Sequence, residues 1–132
     1  MNIQDTRARA QEISKAGSFE NALSAKTIAG KVDLTLSEGV VLGLLRQDVR
    51  KFLVIFGHGS TDIGNILRIY KEEGAVEIFQ CRNEVAMAHA ATALSWIYGE
   101  IPAVITSIGP GALQAFAGSL AAASNGIGVY YI

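Results

Sequence analysis

Residues 52–60 read Phe52-Leu53-Val54-Ile55-Phe56-Gly57-His58-Gly59-Ser60, and this stretch decides the fold class. Five apolar residues in an unbroken run are what a strand buried on both faces requires, because neither side of its pleat meets water. The glycines around His58 then turn the chain. A helix is expected from about Thr61 to Glu73, with Gly74 as its stop. Strand, glycine turn and helix make one unit of an alternating pattern.

The pattern continues downstream. Val76–Phe79 reads as a second strand, and Asn83 caps a helix from Glu84 to about Tyr98, ended by Gly99. Ala103–Thr106 is the third strand. Gly109-Pro110-Gly111 leads into an Ala-rich helix to about Ser124, closed by Asn125-Gly126, and Ile127–Ile132 is a fourth strand. Upstream, Thr35-Leu36-Ser37-Glu38 has the form of a capping box and opens a helix to about Arg50. Residues 1–32 read as one or two helices. Asp5 is expected to cap a segment ending near Gly17, and Ser18 another from Phe19 to Ala29, with Gly30 after it. Their modest apolar content suits a helical arm on the main body.

Strands alternating with helices predict an α/β fold: a three-layer sandwich with a parallel sheet and helices on both faces. The domain is expected to begin at residue 33, with 1–32 as an N-terminal extension. The chain stops at the fourth strand with no helix after it, so the sandwich is expected to be incomplete at the C-terminus. In such sheets ligands sit at the carboxyl ends of the strands. The loops there are 57–60, 81–84 and 107–111.

Composition narrows the function. The 132 residues suffice for one core, and a net charge of −1 gives no electrostatic footprint for nucleic acid or an anionic membrane. A single cysteine, Cys81, rules out an internal disulfide framework and fits a reducing compartment. No apolar stretch reaches spanning length, and the N-terminus is not of the signal-peptide kind, so a cytoplasmic location is expected. From Ile101 to Ile132 there is no Asp, Glu, Lys or Arg. A surface of that composition is expected to be covered, by a partner subunit or by a further part of the protein.

Few residues at the strand ends could carry chemistry. Glu84 falls in the first turn of its helix among small apolar side chains. The helix N-terminus favours a carboxylate there, while apolar neighbours favour the neutral acid, so the group is placed to share a proton. The same position suits a Glu that only complements the helix dipole, the commoner use of such a residue. Gly57-His58-Gly59 after a strand is the start of a dinucleotide fingerprint, but Asp62 stands where the third glycine belongs, which leaves a nucleotide or flavin site weakly supported. His58 suits either a ligand-facing role or a turn histidine, and His89 a satisfied place in the core. Gly109-Pro110-Gly111 could bring backbone close to a ligand, or let a helix of small residues pack closely. The histidines and Cys81 lack metal-ligand spacing, and Ser60 and Ser107 lack the context of a nucleophile.

Taken in order, Phe56-Gly57-His58-Gly59, Arg82-Asn83-Glu84-Val85-Ala86-Met87-Ala88-His89-Ala90-Ala91 and Thr106-Ser107-Ile108-Gly109-Pro110-Gly111-Ala112 resemble the N-terminal pyrimidine-binding domain of thiamine diphosphate enzymes. This is the superfamily of acetolactate synthase and pyruvate oxidase, and the combination is most similar to the trihydroxycyclohexanedione hydrolases of inositol breakdown. The resemblance covers residues 34–132.

The resemblance implies that Glu84 hydrogen-bonds a ring nitrogen of the cofactor's aminopyrimidine and so promotes loss of the thiazolium C2 proton. It implies that Gly57, His58, Gly59, Gly109, Pro110 and Gly111 lie at the cofactor site. It implies chemistry that makes or breaks a C–C bond beside a carbonyl of a 2-oxo acid or cyclic dione, by a lyase, hydrolase or carboligase. The Gly-Asp-Gly…Asn motif through which the superfamily holds diphosphate and Mg²⁺ does not occur in this sequence. A partner domain is therefore expected to bind Mg²⁺ and the charged end of thiamine diphosphate, in a homodimer or hetero-oligomer, and this chain alone is expected to be inactive. A non-catalytic pairing or regulatory module derived from the domain is the alternative.

Overall fold

The structure, a computed structural model, describes residues 2–132. Six helices and four short strands alternate as the sequence predicts: α1 (Ile3–Ala16), α2 (Phe19–Ser24), α3 (Leu36–Arg46), β1 (Lys51–Val54), α4 (Thr61–Glu72), β2 (Glu77–Gln80), α5 (Glu84–Tyr98), β3 (Ala103–Ile105), α6 (Pro110–Ser124) and β4 (Tyr130–Tyr131). The strands form one parallel sheet in the order β2-β1-β3-β4, the arrangement of an α/β sandwich. By contacts the chain divides into two compact units. One comprises residues up to Arg50 together with Asp62–Glu77, and the other Lys51–Thr61 together with Ile78–Ile132.

The sheet lies mainly in the second unit. Phe52 pairs with Ala103, and Val54 with Ile105, so β1 and β3 occupy the centre. Every residue of β3, and Phe52, Leu53 and Val54 of β1, is buried, as a central parallel strand demands. The flanking strands β2 and β4 are mostly exposed, as edges are. The core of this unit gathers Leu53, Val104, Met87, Ala91 and Ala115 from two strands and two helices. Helices α5 and α6 pack closely through small residues. Gly111, Ala115, Gly118 and Ala122 are the buried stripe of α6, and a Cβ on Gly118 would meet Ala88 Cβ at 2.6 Å and the Val85 carbonyl oxygen at 3.1 Å.

The first unit is tied together by one buried carboxylate. Glu38 accepts hydrogen bonds from Thr6 Oγ1 (3.0 Å), from Nε and Nη2 of Arg9 (2.9 and 2.8 Å) and from the Tyr70 hydroxyl (3.1 Å). These partners come from α1 and α4, so the N-terminal helix is hydrogen-bonded to α3. Arg7 of α1 also pairs with Glu72 and Glu73. Of the expected capping box only half forms. Thr35 Oγ1 accepts from the Glu38 amide at 3.2 Å, but the Glu38 carboxylate goes to these distant partners.

Other boundaries shift for local reasons. Asn2, not Asp5, caps α1, accepting from the Gln4 amide, and Asp5 sits in the first turn. Ser18 caps α2 as expected, but the helix stops at Ser24, since Lys26 takes a left-handed backbone (φ 58°). Helix α3 ends at Arg46 because Asp48 does the same (φ 59°). Among the described residues no helix is long and apolar enough to cross a membrane.

Candidate functional site

The strand order places the topological switch point between β1 and β3, the carboxyl-end position at which parallel sheets of this kind bind ligands. The loops leaving those two strands are joined there. The Ile108 amide donates to the His58 carbonyl at 3.1 Å. The closeness depends on missing side chains: a Cβ on Gly57 would sit 2.5 Å from Ser107 Cβ, and one on Gly59 2.6 Å from Ile108 Cγ2. Gly59 also has φ of 87°, which side chains of L-residues avoid. Ser60, buried, locks the first turn by accepting from the Gly57 amide (3.0 Å) and donating to its carbonyl (3.2 Å).

Glu84 is the first residue of α5, after the cap at Asn83, whose Oδ1 accepts from the Ala86 amide at 2.7 Å. Its side chain is half-buried and makes no hydrogen bond or ion pair among the described residues. The group beside it is Gly111. A Cβ on Gly111 would collide with Ser107 Oγ and lie 3.0 Å from Glu84 Oε1. The third loop thus brings Glu84 of α5, Ser107 after β3 and Gly111 of α6 to one point. Gly109 enters this turn with φ of 72°, and Pro110 occupies the first position of α6, where its missing N–H costs nothing.

Of the residues singled out from the sequence, Gly57, Gly59 and Gly111 therefore act as points of close approach, and Gly109 and Pro110 shape the turn into α6. The His58 side chain is exposed and without a partner among the described residues, while its carbonyl serves the loop junction. His89 is exposed, contrary to the core position expected. Helix α5 buries Met87, Ala88, Ala91 and Thr92, and His89 falls off that face. Ser107, set aside as a nucleophile, emerges as the side chain packed between Gly57 and Gly111. Its place directly before Ile-Gly-Pro-Gly was the available signal. The Cys81 thiol is pushed above its ordinary value by burial. Among the described residues no group of three His, Cys, Asp or Glu side chains could hold a metal.

An unpaired, half-buried carboxylate in the first turn of a helix at the mouth of a parallel sheet is placed to share a proton with a ligand. Comparison with known proteins agrees in kind. Residues 34–132 match the family described as "Thiamine pyrophosphate enzyme, N-terminal TPP binding domain". The chain belongs to this family. Within it, the chain is similar to the 3D-(3,5/4)-trihydroxycyclohexane-1,2-dione hydrolase of Bacillus licheniformis, at 41% identity over 87 residues, which are 64% of this chain and 13% of the relative. The enzyme of the same name from Bacillus subtilis is 40% identical over 87 residues, again 64% and 13%. That from Shouchella clausii is 40% identical over 84 residues, 61% and 13%. The similarity thus spans about an eighth of the length of these relatives.

Proposed function

We propose that this chain is the pyrimidine-binding half of a thiamine diphosphate enzyme that hydrolyses a C–C bond beside a carbonyl of a polyhydroxylated cyclic dione. The family match and the names of the relatives support the class of cofactor and substrate. The observation that carries the reading is the unpaired, half-buried Glu84 carboxylate at the start of α5, beside the turn that holds Ser107 and Gly111.

In this reading Glu84 holds the aminopyrimidine by an edge nitrogen and shares a proton with it. Gly57 and Gly111, by having no side chain, let Ser107 pack between them, which fixes the 107–111 turn beside Glu84. His58, exposed on the loop joined to 107–111, is available to bound substrate at the same end of the sheet. Thiamine diphosphate, when bound, supplies a carbon nucleophile for the carbonyl and then holds the electron pair released on cleavage. The residues that hold the diphosphate and Mg²⁺ belong to a partner domain, in a homodimer or a hetero-oligomer. A wide exposed apolar face supports a partner: Trp96 and Ile97 of α5, with Leu113, Phe116 and Leu120 of α6, are each 60–71% exposed.

The test is C2 proton exchange of thiamine diphosphate and Mg²⁺ in the complex with a diphosphate-binding domain, for wild type and Glu84→Gln. The expected result is exchange slowed about 10²- to 10⁴-fold in the variant, the usual contribution of a positioned acid or base. Unchanged exchange overturns the role of Glu84. A complex that forms but binds no cofactor overturns the catalytic reading in favour of a pairing module.

A further inference from the structure

A cavity of about 390 Å³ opens within the first unit, away from Glu84, among α1, α2, the segment after it and α3. That size lies in the range of about 300–1,000 Å³ typical of small-molecule sites. Phe19, Leu23, Ile28 and Leu42 give it an apolar wall, and most of its surface is apolar. Three cations line it, Arg9, Lys31 and Arg46, and no acidic residue does.

The cations are not equally available. Arg9 is committed to the buried Glu38 through two hydrogen bonds. Arg46 has a loose ion pair with Glu20 at 3.3 Å, both side chains being more than half exposed. Lys31 has no partner among the described residues. The cavity therefore presents one uncommitted positive charge at the edge of an apolar pocket. This suits a single negative charge on an apolar body and disfavours a cation.

Gly43, exposed on α3, borders the same space. It lies inside α3, where glycine costs up to ~1 kcal/mol relative to alanine. It lines the cavity, and a Cβ built on it meets no atom within 4 Å. Packing of the protein on itself does not require that glycine.

We propose that this cavity binds a small monocarboxylate with an apolar chain, its carboxylate at Lys31 and its chain against Phe19, Leu23 and Leu42. The site uses residues largely outside the 34–132 match and does not depend on the thiamine reading.

The probes are octanoate, octanol and octylammonium, followed by amide chemical shifts in the 132-residue chain. Octanoate is expected to shift Gly30, Lys31 and Gly43, and to bind about two- to fivefold more tightly than octanol, as an exposed ion pair allows. Octylammonium is expected not to bind. Gly43→Leu fills the space with a better helix former, so it is expected to keep the fold and abolish octanoate binding. Lys31→Glu changes an exposed side chain, and it is expected to weaken octanoate and admit octylammonium. Absence of octanoate binding, octanol binding as tightly, or octanoate binding that survives either variant in a folded chain overturns the proposal. If none of the probes binds, the space is one that protein fills.

Discussion

The Tyr70 hydroxyl donates to Glu38 Oε1 at 3.1 Å, across 32 positions of sequence, and both side chains are fully buried. Burial first, and the neighbouring Glu38 charge second, push the Tyr70 hydroxyl far above its ordinary value near 10. Glu38 receives four hydrogen bonds in all, so its charge is matched by Arg9 and its oxygens are satisfied. Such a carboxylate joins α1, α3 and α4 more specifically than apolar packing would, since each partner must arrive in one geometry.

The raised Tyr70 value makes stability depend on alkaline pH. The folded state keeps the phenolic proton at a pH where the unfolded chain has lost it. The contribution is thus fully present below about 10 and falls as pH rises above that value, because the folded state then binds more protons than the unfolded one. Urea midpoints measured from about pH 8 to pH 11 are expected to fall at the alkaline end for wild type. Tyr70→Phe is expected to start about 1.5–3 kcal/mol less stable, the usual worth of a hydrogen bond to a charged group, and to show a shallower alkaline decline.

Glu38→Ala removes the carboxylate and leaves Arg9, Thr6 and Tyr70 facing a buried void. A loss of about 3–5 kcal/mol is expected, as when one partner of a buried ion pair is deleted. Glu38→Gln keeps the shape but leaves the Arg9 charge unmatched, and is expected to fall between wild type and Ala. Amide exchange in α1 is the informative measurement, because that helix should open first in both variants. Protection in α1 equal to wild type would show that other contacts hold the helix.

These two residues also mark where local sequence signals end. The cap at Asn83, the stop at Gly99 and the Pro110 start of α6 depend on neighbours within four positions, and each forms as the sequence predicts. Thr35 forms its half of the capping box for the same reason. Whether the Glu38 carboxylate closes that box or reaches Arg9 and Tyr70 is decided by residues 29 and 32 positions away, which no short-range pattern encodes. The exposure of His89 is hidden from the sequence for a related reason. Alanines on several sides of α5 erase the apolar periodicity that would mark its inner face. Glu84 and the glycines were legible as positions at the strand ends, but the meeting of Glu84, Ser107 and Gly111 needs the sheet order to bring it about.

The contact of α5 with α6 gives a test of the small-residue stripe. Gly118→Ala gains up to ~1 kcal/mol of helix propensity. It also forces a Cβ to 2.6 Å from Ala88 Cβ, an overpacking that costs about 1–3 kcal/mol. A net loss near ~1 kcal/mol in thermal or urea unfolding is expected from these two magnitudes. Ala88→Gly in the same chain removes the opposing methyl, so the pair is expected to be non-additive, with the double variant losing less than the sum of the single ones. Strict additivity would mean that the helices relax apart at no cost.

Gly111→Ala separates the needs of the site from those of the fold. The new methyl collides with Ser107 Oγ, the end of a short side chain that can turn away, and presses Glu84 Oε1 at 3.0 Å. The melting temperature is expected to change little, while C2 proton exchange in the complex with the diphosphate-binding domain falls about a hundredfold, as for a reacting group displaced by about 1 Å. Adding Ser107→Ala relieves the collision with the hydroxyl but not the one with Glu84. The double variant is therefore expected to recover any lost stability without recovering exchange. Recovery of both together would place the effect of Gly111 on the packing of the 107–111 turn and take Glu84 out of the explanation.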